Sequence, residues 1–192
     1  MKIAILGGTG REGAGLALRW GAFGEEVIIG SRDAGRAVAA AGRLNQLLPG
    51  AATIRGASNR QAALEAEVVV LTVPYAAHLA ALMEVKEALC GKLLIDTTVP
   101  FDPEARERLV PANLSSALEE AQEFLGPSVK VVAAFQNIGF HLLKDLGKVI
   151  DCDVLVCGDD PQARQLATLL VTKAGLRAID AGSSRHAGSA GS

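Results

Sequence analysis

The stretch Lys2-Ile3-Ala4-Ile5-Leu6-Gly7-Gly8-Thr9-Gly10-Arg11-Glu12-Gly13 decides the fold. Lys2–Leu6 is apolar enough for a buried parallel strand. Residues 14–23 then carry apolar groups at helical spacing, with Leu16, Trp20 and Phe23 expected on one side. Between them Gly8-Thr9-Gly10-Arg11-Glu12-Gly13 fits G-x-G-x-x-G. Gly8 is expected to allow the tight turn out of the strand. Gly10 lets backbone approach a pyrophosphate, and Gly13 lets the new helix pack closely on the strand. The helix would turn its free N–H groups and positive dipole end toward the phosphates. Strand, glycine turn and helix in this order read as the start of a dinucleotide-binding unit; a glycine turn without a ligand is the plainer alternative.

A second apolar run, Val27-Ile28-Ile29-Gly30, ends in Ser31-Arg32. NAD-binding chains place Asp or Glu here to bond the ribose 2′-hydroxyl. An acid would repel a 2′-phosphate, whereas Arg32 can grip one with paired charge-assisted bonds and Ser31 can donate another. Thr9 lies close enough to add a hydroxyl, and Arg36 sits one helical turn beyond Arg32. Asp33 reads as a helix N-terminal residue rather than a ribose ligand. The charge argument favours NADP over NAD, against a reading of Arg32 as a solvated surface charge.

The 192 residues are 49% hydrophobic and 4% aromatic, with a net charge of −2. That suits one Ala/Val/Leu-rich α/β domain and leaves no nucleic-acid footprint. The apolar run after Lys2 breaks at Gly7, too short for a signal peptide, and no stretch is long enough to span a membrane. Cys90, Cys152 and Cys157 have no metal-ligand spacing, so no metal is expected. They read as buried or incidental thiols of a cytoplasmic protein.

Strands are expected near 2–6, 26–30, 52–55, 67–72, 92–96, 130–134, 153–157 and 176–180. Helices are expected near 11–23, 33–47, 59–65, 76–89, 104–109, 114–124, 138–146 and 161–174. This alternation predicts a Rossmann-type, doubly wound α/β fold with a mostly parallel sheet, one domain over 1–182. Pro161 suits the first helical position after Asp160, and Gly175 suits a stop after Ala174. The remainder, 183–192, has linker composition and is expected to be a flexible tail, a truncation or an engineered scar.

Ligands of such sheets bind beyond the carboxyl ends of the strands. Thr72-Val73-Pro74 and Thr97-Thr98-Val99-Pro100 each follow a buried strand, and each X-Pro step holds backbone extended. These loops can wall a cofactor, although Asp96 and Thr97 equally suit a plain strand exit. A third loop, Gln136-Asn137-Ile138, could border a nicotinamide, with Ile138 against the ring. The residues expected to contact coenzyme are therefore Gly7, Gly8, Thr9, Gly10, Arg11, Glu12, Gly13, Ser31, Arg32, Arg36, Thr72, Val73, Pro74, Val99 and Ile138. No Tyr-x-x-x-Lys pair exists. His78 and His141 fall on predicted helices and read as exposed or half-buried; Lys144 and Lys148 read as surface charges. Reducing a ketone or imine calls for a proton donor at the reacting carbon. Hydride exchange with a flavin-like ring needs mainly stacking and exclusion of water. The chain offers the second kind of site more plainly.

Met1–Gly10 with Gly13 and Gly15-Leu16-Ala17-Leu18-Arg19 resembles the NADPH-dependent reductases of the deazaflavin coenzyme F420. So do Val27–Arg32, Thr72-Val73-Pro74, Val156-Cys157-Gly158-Asp159-Asp160 and Asp180-Ala181-Gly182. The resemblance covers about residues 1–182. It implies reversible hydride transfer between C4 of the nicotinamide and C5 of F420, within a small cytoplasmic homo-oligomer, expected to be a homodimer. It also implies that Thr72, Val73, Pro74, Gln136, Asn137 and Ile138 flank the stacked rings. Gln136 stands where some members carry His. Relatives continue past Asp-Ala-Gly with Pro-Leu and a further helical stretch, so activity and dimerisation are expected to depend on that missing segment. Two other readings share the same nucleotide residues. One is an NADPH-dependent reductase of a flavin, ferric chelate or small carbonyl; the other is a non-catalytic NADP-binding sensor.

Overall fold

Neighbouring residues of the central strands serve two different cores. In the computed structural model, which describes residues 1–50, 54–100, 116–147 and 149–186, Ile3 and Ile5 of the first strand face one side of the sheet. Ala4 and Leu6 face the other. The same alternation holds for Val27/Ile29 against Ile28 and for Val68/Val70 against Val69/Leu71. A strand apolar on both faces must be covered twice, and that is the origin of the three-layer fold.

The strands are β1 (Lys2–Leu6), β2 (Glu26–Ser31), β3 (Ile54–Ser58), β4 (Val68–Leu71), β5 (Leu93–Asp96), β6 (Lys130–Ala133), β7 (Asp153–Cys157) and β8 (Arg177–Gly182). The helices are α1 (Arg11–Ala22), α2 (Ala34–Asn45), α3 (Asn59–Glu65), α4 (His78–Val85), α5 (Ala117–Leu125), α6 (Phe140–Leu143) and α7 (Pro161–Lys173). The sheet runs β3-β2-β1-β4-β5-β6-β7-β8. The chain order reverses between β1 and β4, which makes the crevice beyond their carboxyl ends the natural ligand position. All pairings are parallel except β6–β7, where Ala133 stands opposite Cys157. Among the described residues, no helix is long and apolar enough to cross a membrane.

Several boundaries move for local reasons. The predicted helix 76–89 is α4 flanked by 3-10 turns at Tyr75–Ala77 and Lys86–Leu89. The predicted helix 138–146 shrinks to α6, because Gly139 caps its start and Asp145 Oδ1 closes a turn by accepting from Gly147 N. Phe23 is not on the buried side of α1. It ends the helix, Gly24 follows at φ +84°, and Phe23 is 61% exposed while Leu16 and Trp20 are sealed. Asp160 caps α7 ahead of Pro161, and Gly175 stops it at φ +75°. The predicted helix 104–109, the first residues of the predicted strand 52–55, and Lys148 lie outside the described residues. Of the expected flexible tail, Ser184–His186 form a 3-10 turn, and Ser184 donates to Asp159 from its backbone N and its hydroxyl.

One buried cation ties the first helix to the C-terminal half. Arg19, 3% exposed, donates to the carbonyls of Leu142, Leu143, Asp145 and Ala174 at 3.0–3.2 Å. Beside it Trp20 Nε1 donates to Leu170 O at 2.8 Å and meets the Phe135 ring edge-on.

Candidate functional site

Two clefts meet around the N-terminus of α1. The first, about 320 Å³, is lined by Gly7, Thr9, Gly10, Ser31, Arg32 and Arg36, with Asn59, Glu84 and the alanines of α4 opposite. The second, about 430 Å³, is lined by Gly10, Arg11, Glu12, Thr97, Thr98, Val99, Phe135, Gln136, Ile138 and Phe140. Both share Gly10 and Thr72-Val73-Pro74, so they form one trough running from Arg32 past the glycine turn to Ile138. A larger groove of about 720 Å³ lies between α5 and the start of α7. Its charged lining is mainly Glu119, Glu123, Asp159 and Asp160, a field that repels a pyrophosphate.

The glycines divide the work differently from expectation. Gly7, not Gly8, takes the left-handed turn, at φ +77°, and a Cβ there would come 2.7 Å from Thr72 O. Gly8 is needed for close approach, since its Cβ would stand 2.8 Å from Ile5 O. A Cβ on Gly13 would meet Thr72 Oγ1 at 2.6 Å and Gly8 Cα at 2.7 Å, so α1 does press on the β1–β4 crevice here. At Gly10 a Cβ would meet only Gly7 O, at 3.2 Å, and would otherwise project into the trough. Gly10 is also the N-cap of α1 and supplies no side-chain cap, which leaves the positive helix end for an anion. This cradle fits a pyrophosphate.

The end of β2 fits a 2′-phosphate. Ser31 Oγ accepts from Asp33 N at 3.2 Å, which leaves its own proton to donate. Asp33 is the cap of α2, accepting from Arg36 N at 3.1 Å, as its position predicts. Arg32 and Arg36 are exposed on the cleft rim, and neither pairs with a carboxylate among the described residues. Asn59 was not legible as a site residue. Its Nδ2 donates to Glu84 at 2.9 Å while its Oδ1 is buried without a partner, an acceptor available at the cleft floor.

The second cleft is mostly apolar, with Val73, Pro74, Val99, Phe135, Ile138 and Phe140. Its outer wall exists because β7 runs antiparallel. The segment 134–147 therefore stays at the strand ends and brings Phe135, Gln136, Ile138 and Phe140 to the cleft. Phe135 there takes φ 67°, a costly backbone for a non-glycine residue, held by burial against Trp20. Gln136 Nε2 donates to Thr98 O at 2.8 Å and lines the cleft. Asn137 does not line it: its amide donates to Asp153 O at 2.6 Å, joining the segment to β7. Thr72 spends its hydroxyl proton on Leu6 O at 2.9 Å.

Behind the cleft lies a pair the histidine reading missed. His78 is fully buried rather than exposed or half-buried, and its Nε2 stands 2.6 Å from Asp96 Oδ2. Asp96 Oδ1 accepts from Thr98 N at 2.9 Å, so the pair fixes the loop carrying Thr97–Val99. Burial lowers the imidazole's pKa, but the Asp96 hydrogen bond and charge, with Glu120 farther off, raise it above the ordinary histidine value. No metal-binding cluster of His, Cys, Asp or Glu occurs among the described residues.

Residues 2–100 match the family described as NADP oxidoreductase, coenzyme F420-dependent. The chain is 47% identical to an F420-dependent NADP reductase of Methanothermobacter marburgensis, over 97% of its own length and 86% of that protein. It is 42% identical to the reductase of that name from Methanothermobacter thermautotrophicus, over 97% of the chain and 83% of the relative. A crystal structure from Arthrobacter sp. FB24, described as an F420-dependent NADP-reductase, superposes with a TM-score of 0.82 at 34% identity, covering 100% of this chain and 89% of that one. Glycine cradle, acid-free Ser31-Arg32 end and apolar cleft thus agree with these likenesses, and the chain belongs to the family of coenzyme F420-dependent NADP oxidoreductases.

Proposed function

We propose that this chain catalyses reversible hydride transfer between NADP(H) and the deazaflavin coenzyme F420. The observation that carries the reading is the single trough whose one end is cationic and whose other end is apolar. Arg32, Ser31, Arg36 and Thr9 would hold the 2′-phosphate, and the α1 N-terminus with Gly8 and Gly10 would hold the pyrophosphate. Thr72, Val73, Pro74, Val99 and Ile138 would wall the nicotinamide and the ring stacked on it. The two ring systems supply the hydride chemistry themselves. What the chain contributes is orientation and exclusion of water, for which bulky apolar walls suffice. The relatives' names support both coenzymes, and the absence of an acid at Ser31-Arg32 supports NADP independently.

The test is NADPH oxidation by purified protein with F420, FMN or no acceptor, repeated with NADH. Rapid turnover with NADPH and F420 alone is expected. Turnover with FMN but not F420 would overturn the acceptor, and equal use of NADH would overturn the role of Arg32. A homodimer belongs to the same proposal, checked by light scattering during size-exclusion chromatography.

A further inference from the structure

Glu12 stands where the mechanism above has no use for an acid. It is the second residue of α1, in the wall of the apolar cleft that Thr72, Val73, Thr97 and Thr98 also line. A carboxylate at a helix N-terminus is ordinarily held ionised by the helix dipole. Here burial wins: it raises the Glu12 carboxyl to about 7, against the Thr97 hydroxyl, which lowers it, and with the Asp96 charge adding to the rise. Both protonation states have a partner available. Thr97 Oγ1 donates to Leu71 O at 3.0 Å, and rotation of that hydroxyl would offer its proton to an ionised Glu12.

Among the described residues, the other charged groups around the cleft each have a partner or ring contact. Asp96, from the end of β5, has its oxygens taken by His78 of α4 and Thr98 N. Tyr75, from the turn before α4, donates its hydroxyl to Glu120 of α5. Arg11, on the same helix as Glu12, lies with its guanidinium 5.1 Å from the Phe140 ring centroid of α6. From β4 and the 135–140 wall the cleft receives only Thr72, Val73, Phe135, Gln136, Ile138 and Phe140 beside Pro74.

A nicotinamide ring is neutral when reduced and cationic when oxidised. A half-buried acid in the wall beside it meets a different electrostatic environment in each state. We propose that Glu12 is a charge sensor for the nicotinamide end of the coenzyme: its carboxyl stays protonated beside the reduced ring and ionises beside the oxidised one. In the second state the O–H bond breaks, the proton passes to solvent, and the carboxylate faces the ring's positive charge; no electron moves in this step. The inference rests on the coenzyme position proposed above. It makes the chain's preference for oxidised over reduced coenzyme a function of pH.

The test needs no turnover. Kd values for NADP⁺ and NADPH are measured by calorimetry across neutral pH on the intact protein. The 2′-phosphate titrates in both coenzymes and cancels in their ratio. For a shift of one to two pKa units, Kd(NADP⁺)/Kd(NADPH) is expected to fall about tenfold from about pH 6 to about pH 8. NADP⁺ binding should release protons and NADPH binding should take them up, read by repeating the titration in buffers of different ionisation heat. E12Q should bind both coenzymes with a flat ratio, and E12D should restore the slope. A flat ratio in the wild-type protein overturns the proposal, as does a slope that persists in E12Q, which would place the titrating group at His78–Asp96. Wild-type protein that binds neither coenzyme would overturn the coenzyme site itself and this inference with it.

Discussion

On the proposed function Arg32 would carry coenzyme choice, since no carboxylate among the described residues pairs with it. A charge-assisted bond contributes about 1.5–3 kcal/mol, so Arg32→Ala should raise the KM for NADPH about 10- to 100-fold and leave NADH use nearly unchanged. Steady-state kinetics with both coenzymes checks this. Its place on the cleft rim was legible because an expected acid was missing, a signal written in one position. His78 was not legible. A lone histidine on a helix says nothing about the aspartate eighteen residues later, and only the β4–β5 pairing brings the two together. Removing one partner of a buried pair costs about 3–5 kcal/mol, so His78→Gln and Asp96→Asn should each lower the denaturation midpoint strongly. The pH dependence follows from the raised imidazole. Its contribution is full below the unfolded-state value of about 6.5 and is lost as pH rises through the higher folded value, so stability should decline as pH rises above that unfolded-state value. Urea titrations at several pH values would show the decline, and its absence in His78→Gln would assign it.

At the scale of elements, hydrophobic alternation and caps announced most of the sheet and the long helices. Strand pairs needing continuous apolar runs, such as β1 and β4, were the clearest, since burial on both faces leaves few other readings. Short elements failed where local chemistry competed, as at Gly139 and Asp145 around α6. The reversal at β7 was invisible, because periodicity reports which face is buried and not which way a strand runs. Close packing between elements was equally silent. A Cβ on Gly56 would come 2.2 Å from Val38 N and 2.3 Å from Ala37 C, so β3 and α2 touch backbone to backbone. Gly56→Ala must push α2 outward, at a cost of about 1–3 kcal/mol. Because α2 carries Arg36, the same substitution should weaken NADPH binding. Thermal melts and NADPH titration would test the two effects separately.

Across the whole molecule, a buried guanidinium joins the first helix to the C-terminal half. Arg19 serves carbonyls from the segment that walls the apolar cleft and from the end of α7. Lysine keeps the charge but not the fork, and each buried carbonyl left unpaired costs about 1–3 kcal/mol. Arg19→Lys should therefore destabilise by about 2–4 kcal/mol, which lowers Tm by roughly 5–15 °C in a chain of this size. Looser positioning of Ile138 should also lower kcat for hydride transfer, and calorimetry with single-turnover kinetics would separate the two losses.

The antiparallel β6–β7 contact sends the exits of β7 and β8 to the edge opposite the trough, where Ser184 meets Asp159 and Lys130 pairs with Asp160. That gives the molecule a back. A support, an electrode or a second enzyme attached at the Asp159 corner would leave the mouth of the trough turned toward open solution.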